Sequence, residues 1–440
     1  MKRDLYAKLI QWKNSPRRKP LILRGVRQSG KTYLLRRFGE CEFPNLVYFN
    51  FEEDPALVQF FEHKLAPQQL VENLSLYSGQ KITPAETLII FDEIQAAPRA
   101  VHSLKYFHEE ASQYHLAAAG SLLGIRMSGL ESFPVGKVNF LDLYPLSFRE
   151  FLDASGKSEW RQRIETIESF APLPEPLHRE LIEMLKRYFV VGGMPEAVNT
   201  YVESGDLHES RTIQREILDA YALDFAKHAS PYDVPRIARI WSSIPAQLAR
   251  ENKKFMYSDV ARRARAREYE NAVEWLANAG VILQAFNISK PGLPLRGYVR
   301  HGFFKVYLAD VGLLGALAGV PPNIIVKGDG LFTEFRGALV ENYVAQQLKK
   351  DHNTGLHYWK SKSTAEVDFL LEKESRIFPL EVKAGINPRS KSLRTYGEKF
   401  APPVLSRTSL LNLRCDGEIA NYPLYLVDRF PLDAPEKPIA

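Results

Sequence analysis

Residues 25–32, Gly-Val-Arg-Gln-Ser-Gly-Lys-Thr, are the stretch that decides the fold. They match the pattern G-x-x-x-x-G-K-[S/T] and lie between an apolar run, Leu21–Leu23, and a helical stretch that begins near Thr32. A loop in this position points its backbone amides at phosphate oxygens. The sequence therefore predicts a loop that binds a nucleoside triphosphate, and the alternative is a glycine-rich turn without nucleotide.

Each residue type in this loop has a physical role. Gly25 and Gly30 let the backbone approach the phosphates closely, because a side chain would block the turn. Lys31 would reach the β and γ phosphates of ATP, and the Thr32 hydroxyl would be a Mg²⁺ ligand. We expect the whole loop to contact the nucleotide: Gly25, Val26, Arg27, Gln28, Ser29, Gly30, Lys31 and Thr32.

A second apolar run, Thr87–Phe91, leads directly into Asp92 and Glu93. Asp92 is expected to hold the Mg²⁺ shell, and Glu93 to orient and polarise the attacking water. The next strand-like run ends near Ser121, which could contact the γ-phosphate or the water. The alternatives are a solvated strand end for the two acids and a simple turn for Ser121.

The surrounding pattern predicts the fold class of this first region. Four short apolar runs, separated by longer amphipathic stretches, predict β-α-β units and a parallel sheet covered by helices. The runs are Leu21–Leu23, Leu46–Phe49, Leu88–Phe91 and His115–Ala119. We therefore expect an α/β P-loop NTPase core.

Composition limits the class of protein. The chain has 440 residues, 45% of them hydrophobic and 25% charged, which predicts two to four domains of ordinary globular composition. Cys41 and Cys415 are too far apart in sequence to form a framework or metal pattern. No signal peptide or membrane-spanning stretch is evident, so we expect a soluble, cytoplasmic protein that does not enter a membrane.

Positive charge is concentrated in the middle of the chain. The segment from Arg236 to Lys305 has 13 Lys and Arg against 5 Asp and Glu, a surplus of 8, whereas the whole chain has +6. Residues 257–280 resemble a winged helix, and its basic turn is expected to contact DNA phosphates. The residues are Arg262, Arg263, Arg265 and Arg267. The alternative is a solvated basic face on a packing module.

The C-terminal part places acidic residues and a lysine in a recurring pattern. Glu341 lies on a predicted helix, Asp368 begins an apolar strand, and Glu381 and Lys383 lie two apart on the next strand. Such a set suits a divalent metal and phosphodiester hydrolysis. Asp368, Glu381 and Glu341 would ligate the metal, and Lys383 would position or deprotonate the water. An ordinary charged pair on a sheet would also give Glu-x-Lys.

The order of motifs resembles a family of bacterial and archaeal AAA-type ATPases (AAA+ superfamily) that carry a C-terminal domain of unknown function. The resembling segments include Pro145–Phe148 and Gly192–Pro195, and the likeness runs from about Lys8 to Phe400. It implies ATP and Mg²⁺ as cofactors and a homo-oligomeric ring such as a hexamer. Relatives usually have arginine where this chain has Lys137, which puts trans activation of hydrolysis in doubt.

The C-terminal pattern resembles the PD-(D/E)XK nuclease fold, with Val367 where many members have proline. The resemblance implies a second Mg²⁺ or Mn²⁺ in this domain. The expected domains are an AAA-type core (1–165), a helical lid (166–235), a winged helix (236–325) and a restriction-endonuclease-like domain (326–440).

Two functions stay open at this stage. The first is an enzyme in which ATP hydrolysis drives or gates metal-dependent DNA cleavage. The second is an ATP-dependent regulatory or scaffolding switch that binds DNA or protein without cutting.

Overall fold

The computed structural model describes residues 1–62, 64–121, 133–167, 170–250, 253–327, 333–352, 355–361, 364–385 and 390–432. The chain divides into two compact units. Unit 1 contains Met1–Pro145 and Asn278–Gly280, and unit 2 contains Leu146–Ala277 and Val281–Ala440. Within the described ranges, none of the helices combines the length and the apolar character that a membrane crossing requires.

Unit 1 is built on a five-stranded parallel sheet. Its strands are β1 (Leu21–Gly25), β2 (Asn45–Asn50), β3 (Thr87–Asp92), β4 (His115–Ser121) and β5 (Asn139–Leu143), in the order β2-β3-β4-β1-β5. The four strands predicted from apolar runs are confirmed, and all their pairings are parallel. β5 is not predicted by the pattern, because it lies at the sheet edge and is only partly buried.

Helices cover both faces of this sheet. They are α1 (Leu5–Asn14), α2 (Lys31–Glu42), α3 (Pro67–Ser78) and α4 (Pro98–Glu110). α1 and α2 pack on the face that presents Leu21 and Leu23, whereas α3 and α4 pack on the opposite face with Ile22 and Ile89. The strands are continuously apolar because both of their faces are buried. Unit 1 is therefore a three-layer α/β/α core.

Unit 2 contains helices and one large sheet. The helices are α5 (Phe148–Ala154), α6 (Ser158–Glu165), α7 (Glu175–Val191), α8 (Pro195–Ser204), α9 (Leu207–His228), α10 (Val234–Ala249), α11 (Tyr257–Val260), α12 (Ala266–Asn278), α13 (Val311–Leu317), α14 (Pro322–Lys327), α15 (Thr333–His352) and α16 (Lys391–Phe400). The strands are β6 (Ile282–Ile288), β7 (Val299–Leu308), β8 (Leu356–Lys360), β9 (Glu366–Lys373), β10 (Arg376–Val382), β11 (Leu405–Ser409), β12 (Arg414–Asp416) and β13 (Ile419–Pro423).

The sheet of unit 2 has the order β12-β13-β11-β10-β9-β8-β6-β7. The β6–β7 hairpin follows α11 and α12, and β6 also pairs in parallel with β8. β9 and β10 form the predicted hairpin, whose turn residues Glu374 and Ser375 both have positive φ. A single sheet thus joins the hairpin after the basic turn to the strands that carry the acidic pattern.

The motif Gly192–Pro195 has a packing role in unit 2. Asp310 accepts hydrogen bonds from the backbone N–H of Gly193 (2.6 Å) and of Leu313 (3.0 Å), so it joins this loop to the start of α13. A Cβ on Gly192 would lie 2.2 Å from the Asp310 side chain, and the φ of 70° also favours glycine there. Burial raises the pKa of Asp310 to about 6 despite these amide donors.

Candidate functional site

The phosphate loop of unit 1 connects the end of β1 to the start of α2. Gly30 precedes the helix with a φ of 88°, in the left-handed region that glycine tolerates. A Cβ on Gly25 would lie 2.3 Å from the carbonyl oxygen of Leu143, so a larger residue cannot occupy this position without displacing β5. No side chain caps the N-terminus of α2 among the described residues, which leaves its first-turn amides for an anion.

Lys31 is held against the loop that it is predicted to serve. Its ammonium donates hydrogen bonds to the carbonyl oxygens of Gly25 and Val26, both at 3.1 Å, and the residue is buried. The flexible four-carbon stem lets the charge turn from these carbonyls to a phosphate. The site therefore carries a positive charge at the position where the β and γ phosphates are expected.

Thr32 and Asp92 lie side by side, as a Mg²⁺ site requires. The Thr32 hydroxyl donates to Asp92 Oδ2 at 2.6 Å, and the Tyr48 hydroxyl donates to the same oxygen at 2.8 Å. Asp92 is buried at the end of β3, where its other oxygen accepts from the backbone N–H of Glu93 at 3.0 Å. These oxygen ligands fit Mg²⁺, which Thr32 and Asp92 would hold to neutralise charge on the phosphates.

Tyr48 reinforces the Asp92 position and is not evident from sequence. Burial, followed by the charge of Asp92, raises the pKa of the Tyr48 hydroxyl, so it stays a protonated donor at neutral pH. β2 and β3 run in parallel with Asn50 opposite Asp92, which brings Tyr48 to the same end of the sheet. The one sequence feature that could have indicated Tyr48 is its hydroxyl-bearing side chain in an otherwise apolar stretch near the end of β2.

Glu93 has a strained backbone and a side-chain partner. Its φ of 48° lies in the left-handed region, which is uncommon for residues other than glycine and clusters at functional sites. Its carboxylate accepts a hydrogen bond from the side-chain amide of Gln95. The carboxylate can act as a general base for water once it is directed toward the phosphate, and Gln95 is the group that holds it here.

The backbone of Ser121 lies next to the phosphate loop. It is the last residue of β4 and pairs in register with Gly25 of β1. This places Ser121 at the carboxyl end of the strand between β1 and β3, the edge of a parallel sheet where ligands bind. The sensor role of Ser121 stays a prediction.

Lys137, the position where relatives usually carry arginine, forms an ion pair within unit 1. Its ammonium lies 2.9 Å from the Glu109 carboxylate, with both side chains about one-third exposed. The hydrogen bond and charge of Lys137 lower the pKa of Glu109. Lys137 is thus already paired within its own chain.

Arg3 is a further residue at this site that the sequence does not indicate. Its guanidinium donates to the backbone carbonyl of Ser29 in the loop (3.0 Å) and to that of Tyr144, which follows β5. Arg3 is buried, and these charged hydrogen bonds join the loop to the edge of the sheet. Arg3 thus ties the phosphate loop to the segment that follows β5.

We expect Arg3→Ala to raise the Kd for ATP by roughly 10-fold. The variant loses a charged hydrogen bond that holds the loop in its binding conformation, which should weaken the binding free energy by about 1.5 kcal/mol. Isothermal titration calorimetry with a nonhydrolysable ATP analogue measures the change. Arg17→Ala is the control, because the Arg17 side chain is exposed and has no partner among the described residues. Equal affinities for the two variants would show that Arg3 does not organise the loop.

The four predicted DNA-contact arginines lie together on the surface of unit 2. They occupy the turn between α11 and α12 and the first turn of α12: Arg262, Arg263, Arg265 and Arg267. All four are exposed, and their guanidinium groups have no hydrogen-bond or ion-pair partner within the described ranges. Arg263 has a φ of 67°, which reverses the chain between the helices. The turn is thus a cluster of four guanidinium groups without direct partners, and it also contains Glu268, whose carboxylate accepts from the backbone N–H of Arg265 (3.2 Å).

The predicted C-terminal acidic residues do converge in unit 2. Asp368 Oδ2 accepts from the backbone N–H of Val382 (2.8 Å), which places it beside Glu381 and Lys383 at the end of β10. Lys383 pairs with Glu381 at 3.0 Å. Glu341 on α15 approaches the same group through Lys305, a lysine that the sequence pattern does not single out.

The residues of this group do not fit a metal site. Within the described part of the chain, no set of three or more acidic, histidine or cysteine side chains is arranged to hold a metal ion. Lys305 contacts Glu341, Glu366 and Asp368, and Lys383 contacts Glu381, so each carboxylate already has an ammonium partner. Two observations favour a further cation: the buried Glu381 Oε2 has no hydrogen-bond partner, and burial and the charge of Glu341 raise the pKa of Asp368 to about 6. The ammonium contacts of all four carboxylates outweigh these observations, because a divalent ion would add charge to a balanced group.

Three regions of the chain match models of known families. Residues 17–152 match a family model described as an AAA domain. Residues 182–323 match a domain of unknown function (DUF8612), and residues 336–425 match another (DUF4143). An uncharacterized protein of Haemophilus influenzae is 26% identical over 229 residues, which is 50% of this chain and 48% of that protein. The chain thus spans about half the length of this curated relative.

Several solved structures are similar to parts of the chain. The Walker-type ATPase PABY2304 of Pyrococcus abyssi has a TM-score of 0.46 and 13% identity, covering 72% of this chain and 95% of that one. The Aeropyrum pernix ORC1 protein in complex with DNA has a TM-score of 0.30 and 15% identity, covering 72% and 91%. AMPPCP-bound DnaA of Aquifex aeolicus has a TM-score of 0.27 and 11% identity, covering 63% and 87%.

TM-scores below 0.5 do not establish a shared overall fold, so the assignment depends on the family model and the geometry. The AAA domain model spans the sheet of unit 1, the phosphate loop and the acidic end of β3. This match supports ATPase activity at the level of the family. Residues 17–152 therefore form an α/β P-loop NTPase core that matches the AAA domain model.

Proposed function

We propose that this chain is an ATP-hydrolysing protein that acts on DNA, with ATP binding and hydrolysis setting its affinity for DNA. The observation that carries the proposal is the 2.6 Å contact between Thr32 and Asp92 beside the phosphate loop. It brings two Mg²⁺ ligands together at the place where the loop presents its amides and Lys31. Glu93, next in sequence, supplies the carboxylate for water activation.

The proposed DNA contact is the arginine turn of unit 2. Four exposed guanidinium groups without partners suit phosphate oxygens, since an unpaired cation gives up only water and counterions when it binds DNA. The helix pair and the following hairpin, β6–β7, support a winged helix as the element that carries them. Electrostatic contact of this kind supplies affinity without specifying a sequence.

The C-terminal strands support a nuclease-like fold as the second part of the proposal. The hairpin β9–β10 carries Asp368 and Glu381, Lys383 directly follows β10, and α15 carries Glu341, in the order that the resemblance implies. We propose the non-cutting alternative for this domain, because its carboxylates are paired with lysines. The cutting alternative predicts Mg²⁺- or Mn²⁺-dependent cleavage of linear, circular or branched DNA.

Self-association is the remaining part of the proposal. AAA-type cores imply a homo-oligomeric ring, for which a hexamer is the expected size. Sedimentation velocity with and without ATP measures the subunit number. An unchanging monomer under both conditions would remove the ring from the proposal.

The coupling between ATP and DNA is tested with Lys31→Ala. Loss of the ammonium should weaken ATP binding by about 100-fold or more, because a charged contact with the β and γ phosphates is removed. DNA affinity of the variant should then no longer respond to ATP, whereas that of the wild type should change several-fold. Fluorescence anisotropy with labelled duplex DNA and a nonhydrolysable ATP analogue measures both. An ATP response in the wild type that persists in Lys31→Ala would contradict the proposal.

A further inference from the structure

Lys305 is a buried cation at the centre of the acidic group of unit 2. It lies within β7, in the apolar run Phe303–Leu308, and its side chain is 1% exposed. The ammonium lies 2.6 Å from Glu366, 2.9 Å from Glu341 and 3.5 Å from Asp368. Burying an ammonium is costly unless carboxylates compensate it, and here three of them do.

The aromatic neighbours of this lysine complete its environment. The Tyr358 ring centroid lies 5.0 Å from the ammonium, within the range of a cation–π contact. The Tyr307 hydroxyl donates to the Glu341 oxygen that also accepts from Lys305. Contacts with side chains of α15, β8 and β9 therefore fix the position of the Lys305 ammonium.

The charges of the whole group balance without a metal. Four carboxylates face four ammonium groups: Glu341, Glu366, Asp368 and Glu381 with Lys253, Lys305, Lys360 and Lys383. Lys305 contacts three of the four carboxylates and is thus the central cation of the group.

A divalent ion could not share this place with Lys305. Mg²⁺ binds carboxylate oxygens at about 2.0–2.1 Å, and an ion among Glu341, Glu366 and Asp368 would lie within a few ångströms of the ammonium. An ion on the same oxygens would take the space of the ammonium, which lies 2.6 to 3.5 Å from all three carboxylates. The Lys305 ammonium and a metal ion are therefore mutually exclusive at Glu341, Glu366 and Asp368.

We infer that the Lys305 ammonium is the resident cation of this acidic group, in place of Mg²⁺ or Mn²⁺: it contacts Glu341 and Asp368, two of the three carboxylates that the nuclease pattern assigns to the metal. The C-terminal part of the chain then has the residues of a nuclease pattern without a divalent metal, and it does not cut DNA. The inference deepens the proposed nuclease-like fold. Its test uses neither ATP nor DNA, so its outcome is independent of the proposed ATP-dependent DNA binding.

The test measures thermal unfolding of the nucleotide-free full chain over a range of Mn²⁺ concentrations. We compare the wild type with Lys305→Gln, which removes the central charge while keeping a side chain of similar length. Lys360→Gln is the matched control, because Lys360 pairs with Glu366 from a partly exposed position, 31% exposed. Any binding of Mn²⁺ at the ATP site is common to all three proteins.

The expected result is a rise in Tm with Mn²⁺ that is largest in Lys305→Gln. Without metal this variant should unfold at lower temperature, because Glu341, Glu366 and Asp368 lose their shared partner. Mn²⁺ should raise its Tm by roughly 5 °C or more, since a ligand that binds the folded state stabilises it. The Tm of the wild type and of Lys360→Gln should rise less with Mn²⁺. The Tm of Asp368→Asn should rise as much as that of the wild type.

Two outcomes would overturn the inference. One is a Tm increase of the wild type with Mn²⁺ that disappears in Asp368→Asn, which would place a metal beside Lys305. The other is a folded Lys305→Gln that gains no Mn²⁺ response. If Lys305→Gln does not fold at any Mn²⁺ concentration, the comparison of the wild type with Asp368→Asn remains the test. Equal changes of Tm with Mn²⁺ in these two proteins support the inference, and a smaller change in Asp368→Asn contradicts it.

Discussion

Glu93→Gln is expected to bind ATP with nearly wild-type affinity and to hydrolyse it at least about 100-fold more slowly. The phosphate loop, Lys31 and the Thr32–Asp92 pair, which bind the nucleotide, keep all their atoms in this variant. Only the carboxylate that activates water is lost, and general base catalysis contributes roughly 10² to 10⁴ in rate. Steady-state phosphate release and calorimetric ATP binding separate the two effects.

Glu86→Gln is the matched control for this experiment. Glu86 is exposed and immediately precedes β3, whereas Glu93 immediately follows it, so the same chemical change is made beside the other end of the same strand. Its turnover should equal that of the wild type. Wild-type turnover in Glu93→Gln would remove Glu93 from the mechanism, and loss of ATP binding there would mean that the residue organises the nucleotide site.

Neutralising the arginine turn is expected to have the second largest effect. Changing Arg262, Arg263, Arg265 and Arg267 together to glutamine should weaken DNA binding by about 100-fold or more at low salt. Each lost phosphate contact also removes counterion release, so the dependence of log K on log salt should become flatter by about 0.9 per contact on duplex DNA. Fluorescence anisotropy with duplex DNA over a range of NaCl concentrations measures both quantities.

The control must carry the same change in net charge. Four other exposed basic residues of unit 2 serve for this purpose: Arg163, Arg215, Lys391 and Arg394. Their neutralisation should lower affinity only slightly, because they lie away from the turn in sequence and on other helices. If both quadruple variants lose affinity equally, the binding reflects net charge alone and the turn has no special role.

The sequence alone determined the core of unit 1. Short, continuously apolar runs predict parallel strands, because such strands are buried on both faces, and G-x-x-x-x-G-K-T between a strand and a helix indicates the phosphate loop. The acids after β3 were also predictable, since ligands bind at the carboxyl ends of parallel strands. The edge strand β5 escapes this reasoning because it is only partly apolar.

The tertiary structure decided which partners these residues have. Arg3 reaches Ser29 across 26 positions, and Tyr48 reaches Asp92 across 44, so no local pattern indicates either contact. In unit 2 the spacing of Asp368, Glu381 and Lys383 predicted a shared site, which the hairpin β9–β10 brings together. The sequence did not indicate that a lysine from another strand is the cation of this site. Lys305 comes from a strand 61 to 63 positions earlier than Glu366 and Asp368, and only the packing of β7 and α15 brings its charge among their carboxylates.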